Sequence, residues 1–370
     1  MEKGRALEKG GALEGDEAAW DAFRDSFGSL YDLMQDSYIN AVPPVPTGIG
    51  GLDALLGGGM RPGLHTLGGE PGAGKSALAL NLAVSAALVG KRVLYASLEM
   101  RRAECVARLC SMLSTSGARE PFRWCDWERL GMAARARRDE AVRAGDAKGF
   151  VADLMSSDPA GSALSLLMRS CPGLAVADGR ELRDLDGLLK AAGRGCDAGL
   201  SLLIVDYMQL IDVHGAASEY ERVSSVCRAL AAFGVDHGVP VLALTSLNRD
   251  ALRGGEPSKH GGRGSGNSEY DATSMWVLTK DGGEGGPVGG PRPIRLHVVK
   301  ARSGAEAVGE SALPLTFDGA HCLFTLPTTG AANSANGVQT PAAPALSGIG
   351  VSPGRAPFPV PPARPAHDKD

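Results

Sequence analysis

An eight-residue segment, Gly69-Glu70-Pro71-Gly72-Ala73-Gly74-Lys75-Ser76, constrains the fold of this chain more than any other feature. It fits the pattern G-x-x-x-x-G-K-[ST] in full. An apolar run precedes it, and residues 77–88 continue with an apolar pattern of helical period. The segment therefore predicts a strand, a tight glycine-rich turn and a helix, an order in which the turn binds phosphate at the start of the helix.

Each residue type in this loop has a predicted task. Gly69, Gly72, Ala73 and Gly74 let the backbone N–H groups curl closely around phosphate oxygens. The Lys75 ammonium is expected to reach the β- and γ-phosphates of a nucleotide. The Ser76 hydroxyl is expected to bind Mg²⁺. The loop thus predicts ATP and Mg²⁺ as ligands.

Two acidic residues at the ends of apolar runs complete the predicted site. Asp206 ends the run Leu202–Val205, which places its carboxylate at the carboxyl edge of a sheet, where it is expected to hold Mg²⁺ directly or through water. Glu99 follows the run 93–98, and a carboxylate there can polarise an attacking water as a general base. A glutamate that caps the next helix is the alternative for Glu99.

Short apolar runs alternate with helical stretches through the body of the chain, which predicts an α/β fold with a mainly parallel, twisted sheet flanked by helices. The predicted strands are His65–Gly68, Arg92–Ser97, Leu200–Asp206, Pro240–Leu244, Ser274–Thr279 and Ile294–Val299. The predicted helices cover 75–89, 100–114, 181–193 and 219–237. The stretch 116–170 is less regular, and its sequence suggests no chemical role.

Composition divides the chain into three parts. Residues 1–46 comprise a charged, Gly-rich start, an amphipathic helix over 16–39 and a Pro-rich linker. Residues 47–325 form the predicted domain. Residues 326–370 are rich in Pro, Ala and Gly and are predicted to be disordered. A lone helix cannot bury its own apolar face, so 16–39 is expected to dock on its own domain or on a neighbouring subunit.

Charge and cysteine usage exclude several classes of protein. The chain carries 38 basic and 42 acidic residues, a net charge of −4, which excludes a globally basic nucleic-acid coat. No apolar run reaches the roughly 18 residues of a membrane span, and the start lacks the pattern of a signal peptide. The seven cysteines are scattered without C-x-x-C. We therefore expect a cytoplasmic protein with reduced thiols and no zinc site.

Beyond the phosphate loop, several motifs resemble those of DnaB-type replicative DNA helicases. The resembling segments are Ser97-Leu98-Glu99-Met100, Asp206-Tyr207-Met208-Gln209-Leu210-Ile211, Leu247-Asn248-Arg249 and the late Lys300-Ala301-Arg302-Ser303-Gly304. The opening Thr47-Gly48-Ile49-Gly50-Gly51-Leu52-Asp53 is shared with the wider RecA-like group, including RadA and KaiC relatives. The resemblance covers about 47–325, nearly the whole predicted domain.

This resemblance implies a RecA-like P-loop NTPase domain that assembles as a hexameric ring, with ATP between subunits and movement along single-stranded DNA. By motif position, one subunit supplies Lys75, Ser76, Glu99 and Asp206. The next subunit would supply Arg302 as an arginine finger in trans, with Lys300 beside it. Arg108 falls where the family carries an arginine near the nucleotide. A surface arginine at a strand end is the alternative for Arg302.

The resemblance also implies where DNA binds. Residues 263–272 resemble the second central loop of the family, and Arg263, Gly264 and Gly266 are the predicted DNA contacts, together with Arg249. Small residues let backbone N–H groups approach phosphates, a contact that does not read base sequence. A flexible surface loop is the alternative.

Three departures from the family pattern stand out. Ser246 occupies the position of a usual Gln that senses the γ-phosphate, and Thr245 or Asn248 are candidate substitutes. Gly264 replaces a frequent acidic residue. Only about 46 residues precede the domain, so the helical N-terminal collar that contacts primase in the family is expected to be missing. A primase or loader partner is therefore left open.

Two other interpretations fit parts of the sequence. A RadA- or KaiC-like ATPase in recombination or regulation shares the opening motif, but the Asp206–Ile211 segment and the late Lys-x-Arg favour DnaB. A non-motor accessory ATPase is suggested by Ser246, since a shorter side chain would weaken coupling between hydrolysis and movement.

Overall fold

The computed structural model describes residues 41–116, 121–246, 271–281 and 290–327, together with residues 20–24, 26, 34 and 38. Residues 20–24 are helical, and the Trp20 and Phe23 side chains there are exposed. Most of the predicted helix 16–39, the tail beyond 327 and the predicted DNA loop lie outside the described residues.

A single nine-stranded sheet organises the domain. Its strands are β1 (Gly63–Gly69), β2 (Val93–Ser97), β3 (Leu174–Asp178), β4 (Leu202–Asp206), β5 (Pro240–Leu244), β6 (Ala272–Lys280), β7 (Arg292–Ala301), β8 (Leu313–Asp318) and β9 (Leu323–Thr325). Their spatial order is β3-β2-β4-β5-β1-β6-β7-β8-β9. The first six strands in this order pair in parallel, and β7, β8 and β9 extend the sheet antiparallel.

Between residues 41 and 327, the described part of the chain contains nine α-helices. They are α1 (Gly50–Leu55), α2 (Lys75–Leu88), α3 (Arg102–Ser114), α4 (Trp127–Arg143), α5 (Ala147–Ser157), α6 (Pro159–Ser170), α7 (Gly179–Leu182), α8 (Leu185–Asp197) and α9 (Glu219–Asp236). Short 3₁₀ turns lie at Trp124–Asp126, Met208–Leu210 and Gly309–Ser311.

Both faces of the parallel sheet are buried under helices. One apolar cluster packs Leu78 of α2 and Leu109 of α3 against the sheet, and the other packs Leu188 of α8 and Leu230 of α9 against the opposite face. β4 is therefore buried at every residue, which explains why Leu202–Val205 are continuously apolar instead of alternating before the strand ends in Asp206. This confirms the predicted α/β class.

The six predicted strands are present, and helices occur at the four predicted positions, the third of them divided into α7 and α8. Two further strands, β8 and β9, follow Ile294–Val299 and were not among the predicted strands. Those strands are short, three to six residues, so their apolar period is hard to recognise. The irregular region 116–170 contains three helices, α4, α5 and α6, and α6 packs on α3.

All seven cysteines are unpaired, and Cys125 alone among them is exposed. Within the part of the chain that the structure describes, no helix is long and apolar enough to cross a membrane.

The N-terminal cap residues of α5 and α6 differ in burial, so substituting each one tests how much it stabilises the region 121–170. Asp158, the cap of α6, is 5% exposed, accepts hydrogen bonds from the N–H groups of Ala160 and Gly161, and pairs with Arg137. Asp146, the cap of α5, is exposed and accepts a single hydrogen bond, from the Gly149 N–H. We expect Asp146→Ala to lower the free energy of unfolding by about 1 kcal/mol and Asp158→Ala by roughly 2–3 kcal/mol, since Asp158 is buried, caps two N–H groups and also pairs with Arg137. Urea unfolding of the two variants checks this, and equal losses would contradict it.

Candidate functional site

The predicted phosphate loop connects the end of β1 to the start of α2, as its sequence indicates. Gly72 and Gly74 adopt φ values of +74° and +95°, which L side chains rarely adopt. A Cβ on Gly74 would also approach the rings of Phe317 and Phe324 to 3.0 Å. Glycine at position 74 is thus required twice, once by backbone conformation and once by the aromatic wall from β8 and β9.

The Lys75 side chain folds back over the loop. Its Nζ donates hydrogen bonds to the carbonyl oxygens of Gly69 at 3.0 Å and Glu70 at 3.2 Å. Burial lowers the pKa of Lys75, and the negative charges of Asp206 and Glu99 oppose that shift. The ammonium therefore lies within the loop and close to both predicted acidic residues.

Asp206 is almost completely buried at the end of β4. Its Oδ2 accepts a hydrogen bond from the Tyr95 hydroxyl at 2.7 Å. Burial raises the pKa of Asp206, while hydrogen bonds from Tyr95 and Ser76 lower it. The two residues predicted to bind Mg²⁺, Ser76 and Asp206, thus lie close together at this edge. A hydroxyl beside a carboxylate at this edge is a suitable oxygen pair for that ion.

Tyr95 is a site residue that the sequence reasoning missed. It lies in the middle of the apolar strand β2, where an aromatic residue is ordinary. Burial and the charge of Asp206 raise the Tyr95 pKa well above its usual value, so the phenol stays protonated and donates. Its role depends on the pairing of β2 with β4, because Tyr95 and Asp206 are 111 positions apart in the sequence.

Glu99 lies just beyond β2 and is exposed at the same edge. Its backbone is held there because the N–H groups of Leu98 and Glu99 donate to the Asp206 carbonyl at 2.6 and 3.3 Å. Burial of part of the carboxyl group raises the pKa of Glu99, and the neighbouring Asp206 raises it further. The helix-cap alternative is not supported, because α3 begins after Arg101 without a side-chain cap.

Arg108 of α3 lies beside this acidic pair. Its guanidinium forms an ion pair with Glu104 at 2.8 Å and lies 4.7 Å from the centre of the Trp124 ring. The positive charge of Arg108 lowers the pKa of both Glu99 and Asp206. Arg108 thus lies near Glu99 and Asp206, and contacts with Glu104 and Trp124 hold its guanidinium.

Two further cations at the phosphate loop come from the antiparallel strands. Arg292, at the start of β7, donates a hydrogen bond to the Gly72 carbonyl and lies 5.0 Å from the centre of the Phe317 ring. The Nζ of Lys280 is 4.0 Å from the position that a Cβ on Gly72 would take. Neither residue stands in a recognisable motif, so only the fold identifies them.

Beside the loop, the segment that departs from the family pattern is tied to β4. Gln209 donates to the Thr245 hydroxyl at 2.6 Å, and the Thr245 N–H donates to the Leu67 carbonyl at 2.9 Å. Gln209 Oε1 is buried without a hydrogen-bond partner among the described residues. Thr245, one candidate substitute for the missing glutamine, is therefore engaged by Gln209, while Asn248 lies outside the described residues.

Lys300 and Arg302 are not brought to the subunit's own phosphate loop. β7 runs antiparallel to β6, so Ala301 pairs with Ser274, whereas Gly69 pairs with Leu278. Ser274 and Leu278 are four residues apart on β6, a distance of about 13 Å at ~3.3 Å per residue. The Arg302 side chain is exposed at the opposite edge of the sheet. The predicted DNA contacts Arg249, Arg263, Gly264 and Gly266 lie outside the described residues.

Comparison with known proteins agrees with this geometry. The chain is 25% identical over 297 residues to the replicative DNA helicase DnaB of Geobacillus stearothermophilus, and 26% identical over 301 residues to the replicative DNA helicase DnaC of Bacillus subtilis. Each match covers 75% of this chain, which spans 58% of the length of either relative. The fold is similar to that of a solved DnaB-like replicative helicase, with a TM-score of 0.60 and 21% identity over 86% of this chain and 68% of that one.

A family model decides the assignment. The model for the DnaB-like helicase C-terminal domain matches residues 44–140 and 174–324, about two thirds of the 370-residue chain. The interval between the two matches, 141–173, covers the end of α4 and all of α5 and α6. The matched part contains the phosphate loop, Glu99, Asp206 and Arg302, and on this basis the chain belongs to the DnaB-like helicase C-terminal domain family.

Proposed function

We propose that this chain is the ATP-hydrolysing motor of a DnaB-type helicase, which moves along single-stranded DNA during DNA replication as one subunit of a hexameric ring. The observation that carries the proposal is the meeting of Lys75, Ser76, Glu99 and Asp206 at one sheet edge in a chain of the DnaB-like family. These four residues supply the phosphate, metal and water functions that ATP hydrolysis needs.

Each residue then has a chemical task with ATP as the substrate. Ser76 and Asp206 would hold Mg²⁺, which would supply positive charge to the phosphate oxygens. The Lys75 ammonium releases its hydrogen bonds to the Gly69 and Glu70 carbonyls and binds the β- and γ-phosphates instead. Glu99 orients the attacking water and accepts its proton, and its raised pKa brings its basicity nearer to neutral pH. Tyr95 fixes the Asp206 carboxylate by donating to Oδ2.

The position of Arg302 is consistent with action on a neighbouring subunit. It is exposed at the edge opposite its own phosphate loop, so it contributes nothing to that loop's nucleotide. A guanidinium presented to the next subunit suits the spread charge of a transferring phosphoryl group. In this proposal Lys300 supports Arg302, and Arg249, Arg263, Gly264 and Gly266 contact the DNA backbone in the ring channel.

Ser246 favours one alternative, a non-motor accessory ATPase. With the usual glutamine replaced, the nucleotide has a weaker link to the predicted DNA loop that follows. The alternative differs in one observable, because its ATP hydrolysis would be indifferent to DNA.

Steady-state ATP hydrolysis with and without single-stranded DNA tests the proposal. We expect DNA to raise the wild-type rate several-fold. Lys75→Ala should lower the rate by at least about 100-fold, since the phosphates lose their principal cation. The Lys75→Ala protein also controls for a contaminating ATPase. A slow rate that DNA does not change would refute the motor function and leave the accessory ATPase.

Glu99→Gln tests the general base. We expect the rate to fall by about 100-fold or more. In the wild type, activity should be lost as the pH falls through the Glu99 pKa. Because that pKa is raised, the loss should begin at a higher pH than for an ordinary glutamate. Glu128→Gln, at an exposed position on α4, is the control. An unchanged acid limb in Glu99→Gln would assign the limb to another group.

Tyr95→Phe tests the support of Asp206. Without the phenol donor the carboxylate loses a hydrogen bond to its charged form, so the Asp206 pKa rises and Mg²⁺ is held less tightly. We expect the Mg²⁺ concentration for half-maximal hydrolysis to rise about 5-fold, equivalent to roughly 1 kcal/mol. The exposed Tyr220→Phe is the matched control. The same Mg²⁺ dependence in both variants would show that Tyr95 does not act through the metal site.

A further inference from the structure

The turn that carries Arg302 is fixed to the rest of the subunit by its backbone. The Arg302 N–H donates to the Thr273 carbonyl at 3.0 Å, and the Ala305 N–H donates to the Leu55 carbonyl, at the end of α1, at 2.8 Å. Gly304 makes the second contact feasible, because a Cβ there would lie 1.9 Å from the Leu55 oxygen. Any larger residue would push the turn away from α1.

The loop after α1 closes on the same turn. Gly57 has a φ of +70°, and a Cβ on it would lie 2.7 Å from the Ser303 carbonyl oxygen. Arg61 closes the loop, since its Nη2 donates to the Gly57 carbonyl at 3.2 Å. The turn is therefore seated between α1 and the loop 57–61.

A buried histidine, His65, connects the loop 57–61 to β6 beside this turn. His65 of β1 has its Nε2 2.7 Å from the Arg61 carbonyl and its Nδ1 2.6 Å from the Ser274 hydroxyl. A carbonyl only accepts, so Nε2 carries the proton, and complete burial, which lowers the His65 pKa to about 4, keeps the ring neutral. Nδ1 must then accept from Ser274. That serine pairs with Ala301, the residue before Arg302.

These contacts join the two functional edges of the subunit. His65 lies on the same strand as Gly69, the first residue of the phosphate loop. The open cleft that His65, Ser274, Arg302 and Ser303 help to line offers about 10 Å³, room for at most one water molecule. Little freedom is left for Arg302's backbone to shift relative to β1.

We propose that His65, Ser274 and Gly304 are positioning residues for Arg302, and that they hold it at the face that meets the next subunit's nucleotide. The inference rests on the proposed function, in which Arg302 acts across a subunit interface. It goes further by naming the residues that hold Arg302 in place. None of these residues belongs to the nucleotide site of its own subunit.

Kinetics of two variants test the inference first. Ser274→Ala removes the donor to His65, and Gly304→Ala displaces the turn from the Leu55 carbonyl while keeping both hydrogen-bond partners of His65. We expect each to lower kcat by about 5-fold or more, while ATP affinity, measured with a fluorescent ATP analogue, changes less than about 2-fold. Thr279→Val is the matched control for the first, because it removes another hydroxyl bonded to a histidine, His297, across the strands β6 and β7. Gly193→Ala, at a helical glycine with open space around it, is the control for the second.

Mixed assemblies separate positioning from a general structural role. Each variant is co-expressed with Lys75→Ala and the mixed assemblies are purified with two tags. In a mixed assembly, the variant subunit supplies an intact phosphate loop and the Lys75→Ala subunit supplies a correctly positioned Arg302. An interface formed by these two groups therefore contains every residue that the site needs. We expect mixed assemblies to hydrolyse ATP faster than either variant alone. A mixture of Arg302→Ala with Lys75→Ala is the reference.

The outcomes distinguish the two proposals. The positioning inference is overturned if the Arg302→Ala mixture regains activity but the Ser274→Ala and Gly304→Ala mixtures do not. It is also overturned if these two variants behave like their controls. In both cases the arginine finger in trans stands. If the Arg302→Ala mixture regains nothing, the finger in trans fails and the positioning inference fails with it. Recovery in all three mixtures supports both.

Discussion

Parallel pairing of β2, β4, β5 and β1 is the constraint on which the rest of the structure depends. Strands that run in one direction end at one edge, so the pairing brings Ser97 opposite Asp206 and places Gly69 a few residues from the end of β5. The phosphate loop, the buried carboxylate and the exposed glutamate come from different parts of the sequence, and they meet because the apolar strands before them are buried together. Apolar burial therefore determines where the polar chemistry is located.

The charged groups at this edge stabilise one another. Burial alone would favour neutral Asp206 and neutral Lys75, and it shifts the pKa of each in that direction. The mutual attraction of the two charges opposes both shifts, and Arg108 and hydrogen bonds from Tyr95 and Ser76 also oppose the shift of Asp206. A site of this kind is arranged in advance for a ligand that carries both negative phosphates and a divalent cation, because each group already faces a charge of the opposite sign.

The antiparallel extension of the sheet gives one subunit two different edges. β7 begins at the phosphate loop, where Arg292 contacts Gly72, and ends at the far edge, where Arg302 is exposed. A single strand thus carries one arginine toward the subunit's own loop and another away from it. Chain reversal between β6 and β7 is what places a short motif at the edge opposite the phosphate loop, since a parallel strand would have brought its end back to the same edge.

The sequence by itself determined the phosphate loop, Asp206, Glu99 and the α/β class, because each depends on residues adjacent in the chain or on the apolar period of one strand. It also determined the family, through several short motifs that each stand in a continuous segment. Only the tertiary structure decided the partners of these residues. Tyr95 reaches Asp206 across 111 positions, His65 reaches Ser274 across 209, and Arg292 reaches Gly72 across 220. The strands β8 and β9, and the helices α5 and α6, were likewise missed. Local patterns record which side of an element is apolar, but a hydrogen bond between distant strands depends on strand order and register, which the sheet fixes only when it is assembled.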